Sequence, residues 1–357
     1  MVSPQALPEV VAPRANPDLL GHENAERELL RLHQARRLPH AILLSGPRGI
    51  GKATLAFRLV RFLLAKGEAG EDGLAIDPAS GVFRRVAAGG HTDLLTIERV
   101  YDVRRRRLRG EIVVEDAREI AGFFRLTAAE EGWRIVIVDG AEEMNRSAAN
   151  ALLKLLEEPP RRALLLLVSH GPGRLLPTIR SRCRRFPLAP LARPIVVQLL
   201  GRYRPGLAQS EAGSVAALSE GSIGRALELV DAGGLALYRS VLELLSQIPQ
   251  LDAVRLHAFA DQLVGAGAED AYRAGEDLLL QFLGRMTARA ARRQLGGEEI
   301  VPGESDAMAR LAAHADPARW AALRDEIERR FASTDQLNLD RKQAILGAFF
   351  AIEELAR

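Results

Sequence analysis

Ala41-Ile42-Leu43-Leu44-Ser45-Gly46-Pro47-Arg48-Gly49-Ile50-Gly51-Lys52-Ala53-Thr54 is the stretch on which the fold turns. A short apolar run ends in serine, a glycine-rich turn follows, and a helical pattern runs from Ala53 to Ala65. That is a strand–loop–helix unit. Such a loop converges backbone N–H groups on a phosphate, adds the partial positive charge of a helix N-terminus, and offers its lysine to the terminal phosphates. Gly46, Gly49, Gly51 and Lys52 are the candidate residues; the alternative is a glycine-rich turn that binds nothing. A hydroxyl residue directly after the lysine would hold Mg²⁺. Ala53 stands there and Thr54 comes one residue late, turned by about 100° on the helix. The expectation is a degenerate nucleotide site: ATP and Mg²⁺ bound weakly if at all, and no cofactor required.

Outward from this unit, Glu23 to Arg36 reads as a helix and residues 67–92 as a loop or small insertion. Asp93 to Val100 reads as a strand, and a helix begins near Glu115 or Asp116. Arg134 to Asp139 and Ala163 to Ser169 are apolar runs of the kind found in buried parallel strands. Between them Ser147 to Glu158 is helical and stops at Pro159-Pro160. The alternation predicts an α/β fold, a parallel sheet with helices on both faces. After Pro187 two or three short helices run to about Ala232, and Gly233-Gly234 breaks them. Beyond, helices are expected near 235–247, 253–265, 269–294, 306–314, 317–332 and 339–356. Residues 1–17, with four prolines, read as a flexible lead-in.

The chain has 357 residues, 47% of them apolar and 27% charged, enough for two or three cores. A net charge of +3 permits contact with nucleic acid without demanding it. Only four basic residues are lysine (Lys52, Lys66, Lys154 and Lys342), so a lysine that remains hints at a position arginine cannot fill. The single cysteine, Cys183, excludes an intrachain disulfide and a cysteine-based metal cluster, and no zinc is expected. No secretory leader pattern opens the sequence, and the longest apolar run, Ala163 to Val168, is far too short for a bilayer. A cytoplasmic protein is expected, with no membrane partner. Arg104-Arg105-Arg106-Arg107-Leu108-Arg109 is either a contact to DNA phosphates or a solvated hairpin tip.

Asp139 closes its strand as an acid that would hold the water shell of Mg²⁺. Asn145-Arg146-Ser147-Ala148-Ala149-Asn150-Ala151-Leu152-Leu153-Lys154, followed by Leu156-Glu157-Glu158-Pro159-Pro160, resembles the signature helix of clamp-loader subunits, an AAA+ family. Ser181-Arg182-Cys183 is similar to that family's Ser-Arg-Cys motif. Gly21-His22-Glu23, Leu38-Pro39-His40-Ala41 and Asn338-Leu339-Asp340-Arg341-Lys342 are similar as well. The likeness is strong over residues 18–190 and reaches the helical remainder only through its last segment.

The resemblance implies a RecA-like AAA+ core over 18–188, a helical lid over 189–234 and a helical collar over 235–357 that joins a hetero-pentamer. It places Ser169 as a first sensor, or a mere strand-end cap, and Arg225 as a second sensor, or a mere surface arginine. It makes Arg182 an arginine that reaches the neighbour's ATP site, unless it is only part of a basic surface with Arg180, Arg184 and Arg185. AAA+ ATPases usually carry a water-activating glutamate after the strand-end acid; here Gly140 stands there, and Glu142 and Glu143 are expected to face elsewhere. The lost glutamate and hydroxyl favour the family's delta-prime branch, acting with gamma/tau motor subunits, a delta subunit, the sliding clamp and primer-template DNA. The competing readings are an active motor subunit of the gamma/tau kind, a helicase loader, and a stand-alone P-loop transferase.

Overall fold

The computed structural model describes residues 11–67, 73–99, 101–102, 107–108, 110–126, 132–265 and 268–357. They fall into two compact units, Met1–Leu199 with Gly221–Gly224, and Leu200–Glu220 with Arg225–Arg357.

The first unit is built on a five-stranded sheet. Its strands are β1 (Ala41–Ser45), β2 (Leu94–Ile97), β5 (Arg134–Asp139), β6 (Ala163–Ser169) and β7 (Arg184–Pro187). A separate antiparallel pair, β3 (Tyr101–Asp102) and β4 (Arg107–Leu108), lies between β2 and β5 in the chain. The large sheet runs β2-β5-β6-β1-β7 with every pair parallel. All five residues of β1 and all seven of β6 are buried, as strands covered on both faces must be.

Because successive side chains alternate between faces, the three central strands feed two cores. Ile42, Leu44, Ile135, Ile137, Leu164, Leu166 and Val168 face the helices α1 (Glu23–Gln34) and α2 (Lys52–Leu64) through residues such as Leu29, Leu55, Leu59 and Phe62. Leu43, Val136, Val138, Leu165 and Leu167 face α4 (Val114–Arg125) and α5 (Arg146–Glu157) through Ile120, Phe124, Leu152 and Leu156. Both latter helices start on local chemistry. Asp116 accepts from the Val113 amide at 2.8 Å, and the Asn145 side chain caps α5 by accepting from Ala148 N at 2.9 Å.

The stretch expected to be a loop or small insertion, 67–92, contains a helix, α3 (Gly81–Ala87). Ser80 caps it through Phe83 N, Phe83 and Val86 are buried, and the Arg61 guanidinium lies 4.5 Å over the Phe83 ring. The lead-in is tied down from Arg14 onward. Buried Arg61 donates to the carbonyls of Arg14 (2.9 Å) and Asn16 (2.8 Å), and Arg58 to that of Pro17 (2.6 Å). The unit is completed by α6 (Pro177–Arg180) and the start of α7 (Arg193–Tyr203).

The second unit is helical: α8 (Gln209–Leu218), α9 (Ile223–Asp231, from Arg225 on), α10 (Gly234–Leu245), α11 (Ala253–Val264), α12 (Glu269–Ala291), α13 (Glu304–Ala312), α14 (Pro317–Leu337) and α15 (Arg341–Ala356). Helix α12 packs on α10 and α14, and α15 on α11 and α14. The Asn338–Lys342 motif makes the last corner. Asn338 ends α14 in the left-handed conformation, and Asp340 caps α15 by accepting from Lys342 N and Gln343 N. Arg341 lies 4.8 Å over the Tyr272 ring, and Lys342 Nζ is 2.5 Å from Asp261 on α11. No helix of the described residues is long and apolar enough to cross a membrane.

Three helices of this unit meet at one buried carboxylate. Glu304, 0% exposed, accepts from Tyr238 on α10, from Arg285 on α12 (2.6 and 3.2 Å) and from Ile300 N (2.9 Å). Removing one partner of a buried, hydrogen-bonded ion pair strands the other. Glu304→Ala is therefore expected to cost about 3–5 kcal/mol of stability. Tyr238→Phe, which deletes a single donor, is expected to cost about 1 kcal/mol. Denaturant unfolding followed by circular dichroism checks both.

Candidate nucleotide site

The register of the sheet sets the site. Ser45 pairs with Ser169 and Asp139 with Val168, so β1, β6 and β5 end together, at the edge where the loop leaves β1. Gly46, Gly49 and Gly51 all take positive φ. Gly49 is held by more than its backbone angle. A Cβ there would lie 2.4 Å from Ser222 Oγ and 3.0 Å from Gly224 Cα, and Gly224 N donates to Gly49 O at 2.9 Å. The segment 221–224 thus packs backbone against backbone on the phosphate loop. On its other side His22 Nε2 donates to Ile50 O at 2.6 Å.

Lys52 opens α2, is 2% exposed, and donates to the Pro47 carbonyl of its own loop. Burial pulls its ammonium down to about 8, against the Asp139 and Glu142 carboxylates that favour the charge. Thr54 is buried on the first turn of α2, one place past Ala53. Burial and then the Glu98 carboxylate push Asp139 up to about 6, against the pull of Lys52. A buried amine and a buried acid are each held part-way to neutrality.

Glu142 and Glu143, expected to face elsewhere, both turn back to the strand ends. Gly140 adopts φ +77° and opens a tight turn, Ala141–Glu143, that folds the chain over β5. The Glu142 side chain is fully buried and accepts from the amides of His170 (2.8 Å) and Gly171 (3.1 Å), just past β6. Burial alone would raise its carboxyl. Hydrogen bonds from its own amide and from His170, with the Ser169 hydroxyl and the His170 ring beside it, hold it below the usual range. Burial, then Lys52, pulls the His170 imidazole down to about 4. Ser169 itself is 0% exposed at the end of β6.

Other predicted residues lie apart. Arg182 follows α6; its Nη2 is 2.8 Å from Glu157 Oε1 at the end of α5, and its Nη1 donates to Thr178 O at 3.1 Å. Cys183 beside it is buried, and burial pushes its thiol up to about 12, so it packs as a small apolar group. Arg225 belongs to the second unit, with Glu220 at 3.5 Å and Gln281 at 3.3 Å. Arg104, Arg105, Arg106 and Arg109 lie outside the described residues, and Arg107 sits on β4. Two of the resemblance motifs make hydrogen bonds here, one long-range and one local. His40 Nε2 donates to Leu156 O at the end of the signature helix (3.0 Å), and Glu23 accepts from Gly21 N (2.7 Å). The Glu142 link and the Glu143–Arg99 pair (2.6 Å) are not visible from sequence spacing.

A parallel sheet in this order, with a phosphate loop off β1 and an acid two strands away on β5, is the RecA-like core of an AAA+ protein. Residues 21–192 match the family described as DNA polymerase III, delta subunit. The chain is 42% identical to DNA polymerase III subunit delta' of Pseudomonas aeruginosa over 144 residues, 40% of this chain and 41% of that one. It is 29% identical to subunit delta' of Escherichia coli K12 over 305 residues, 84% of each chain. It is 33% identical to the E. coli K12 subunit tau over 193 residues, 53% of this chain and 28% of that one. The matched stretch thus spans less than half of the Pseudomonas relative. Over residues 21–192 the chain is thus similar to subunits of DNA polymerase III, those named delta' and tau among them.

The raised Asp139 gives a pH test. Its protonated form is the one the fold prefers, so its contribution is full below about pH 4 and is lost as pH rises through about 6. Asp139→Asn stays neutral throughout. It is expected to be more stable than the wild type above pH 6, by on the order of 1–3 kcal/mol, and to converge with it near pH 4. Thermal unfolding across that range checks the sign.

Proposed function

We propose that this chain is a largely non-hydrolysing member of the clamp loader, which supplies Arg182 in trans to a neighbouring ATP site. The observation that carries the reading is a contrast within one unit. Position 53 lacks the metal-binding hydroxyl and position 140 the water-activating carboxylate, while Arg182 stands at the surface, steered by Glu157 and the Thr178 carbonyl. Phosphoryl transfer depends on neutralising charge on the phosphoryl oxygens, and an arginine given by a neighbour is worth about 10³–10⁵ in rate. A planar guanidinium meets two oxygens at once, which an ammonium does not.

In this reading residues 18–188 are the AAA+ core, 189–234 a lid and 235–357 a collar. The partners are gamma/tau motor subunits and a delta subunit in a hetero-pentamer, working in the cytoplasm. The assembly loads a sliding clamp on primer-template DNA, with the arginines at 104–107 and 109 as candidate phosphate contacts. Ser169 and Arg225 are sensor positions, and nucleotide binds the loop weakly if at all.

Arg182→Ala removes an exposed ion pair, worth about 0–1 kcal/mol, and one exposed hydrogen bond to Thr178 O, so folding and assembly are expected to survive. The assembled complex's clamp- and DNA-stimulated ATPase and its loading rate are expected to fall, and Arg182→Lys to rescue little. Normal loading by a pentamer carrying Arg182→Ala would remove the trans role. The isolated chain is expected to turn over ATP negligibly. Turnover at the level of a motor subunit, abolished by Lys52→Ala, would replace this reading with that of an active motor.

A further inference from the structure

Something fills the space that the missing side chain at position 140 leaves. With φ at +77°, a Cβ on Gly140 would lie 2.6 Å from Glu143 Oε2 and 3.0 Å from its Cδ. The same oxygen is 2.6 Å from Arg99 Nε, just beyond β2, and the two side chains are 27% and 22% exposed. The backbone of Glu143 is pinned as well. Its N–H donates to Gly140 O at 2.8 Å, and its carbonyl accepts from Ile112 N at 2.9 Å. The carboxylate is therefore not a loose end that swings aside freely; moving it breaks its pair with Arg99.

We propose that Glu143, clasped by Arg99, is a stopper for the strand-end position beside Asp139, taking the place of the side chain absent at residue 140 and closing it to an attacking water. The inference deepens the reading of residue 140 as a lost hydrolytic position, and rests on it. Burial raises the Glu143 carboxyl above the usual carboxylate range against the pull of Arg99, so it is the space the carboxylate fills and its fixed pairing with Arg99 that close the position, not a loss of basicity. The left-handed turn adds a second barrier. A glutamate restored at 140 would start from a backbone that L-residues disfavour and would meet Glu143 at its first carbon. Inactivity is thus built into three residues, Arg99, Gly140 and Glu143, and one substitution does not undo it.

The test is a set of coupled variants in the full chain, read by thermal unfolding. Gly140→Ala is to be compared in the wild type, in Glu143→Ala and in Arg99→Ala. The backbone penalty is common to all three, while the overlap exists only where Glu143 is present and held. Gly140→Ala is expected to lower Tm by several degrees in the wild type, and by about 3 °C less in either other background. Equal losses in all three would overturn the proposal. If Gly140→Ala fails to fold, recovery on adding Glu143→Ala supports it and no recovery overturns it. A second readout is ATP turnover by the isolated chain. No gain from Gly140→Glu alone supports the stopper; measurable wild-type turnover lost in Glu143→Gln would make Glu143 a base instead. The Arg182 role is read only in the assembled complex, so the two ideas fail separately.

Discussion

Every group of the candidate nucleotide site is placed by the way three parallel strands end together. Because Ser45, Ser169 and Asp139 finish β1, β6 and β5 at one edge, the phosphate loop, the acid and the Glu142 link share a small space. The loop is then held by the Gly224 amide on Gly49 O and by the His22 ring nitrogen on Ile50 O. Ser222 and Gly224 leave no room for a side chain at residue 49. The electrostatics follow from the same crowding. With Lys52 and Asp139 both drawn out of water, each is driven toward its neutral form despite the attraction between them.

Sequence patterns reveal the sheet because buried parallel strands are continuous apolar runs, and Ala41–Ser45, Arg134–Asp139 and Ala163–Ser169 stand out as such. The phosphate loop is equally legible, since its glycines and its lysine are local in sequence. The signals that fail are those set by one backbone angle or by distant partners. Glu142 and Glu143 look misdirected if the chain runs straight on from β5; the left-handed Gly140 turns them back. Helix α3 is hidden in an Ala- and Gly-rich stretch. Its cues, Ser80 as cap and Phe83 with Val86 three apart, are short, and the Arg61 stacking that steadies it comes from another helix. Pairings such as His40 with Leu156 O, or Glu304 with Arg285 and Tyr238, join residues that no periodicity relates.

The surface around Arg182 follows a different rule from the site around Lys52. The guanidinium of Arg182 keeps contact with water and is steered by one carboxylate and one carbonyl, which give it a preferred direction. An exposed pair of this kind contributes little to stability, about 0–1 kcal/mol. Lys52 and Asp139 are thus tuned by desolvation, while Arg182 is set by orientation.

The position of β1 has a kinetic consequence. This strand lies inside the sheet, yet both of its neighbours come more than roughly a hundred residues later in the chain, β6 through Ala41–Leu165 and β7 through Ile42–Arg184. During synthesis the apolar run of β1 is therefore made long before the strands that cover its two edges. Helices α1 and α2 can shield one face of it early, through Leu29, Leu55 and Leu59, but its backbone donors and acceptors stay open until β6 and β7 have left the ribosome. In the nascent chain this strand stays open to misassociation through that interval, which is when shielding by a chaperone would act on it.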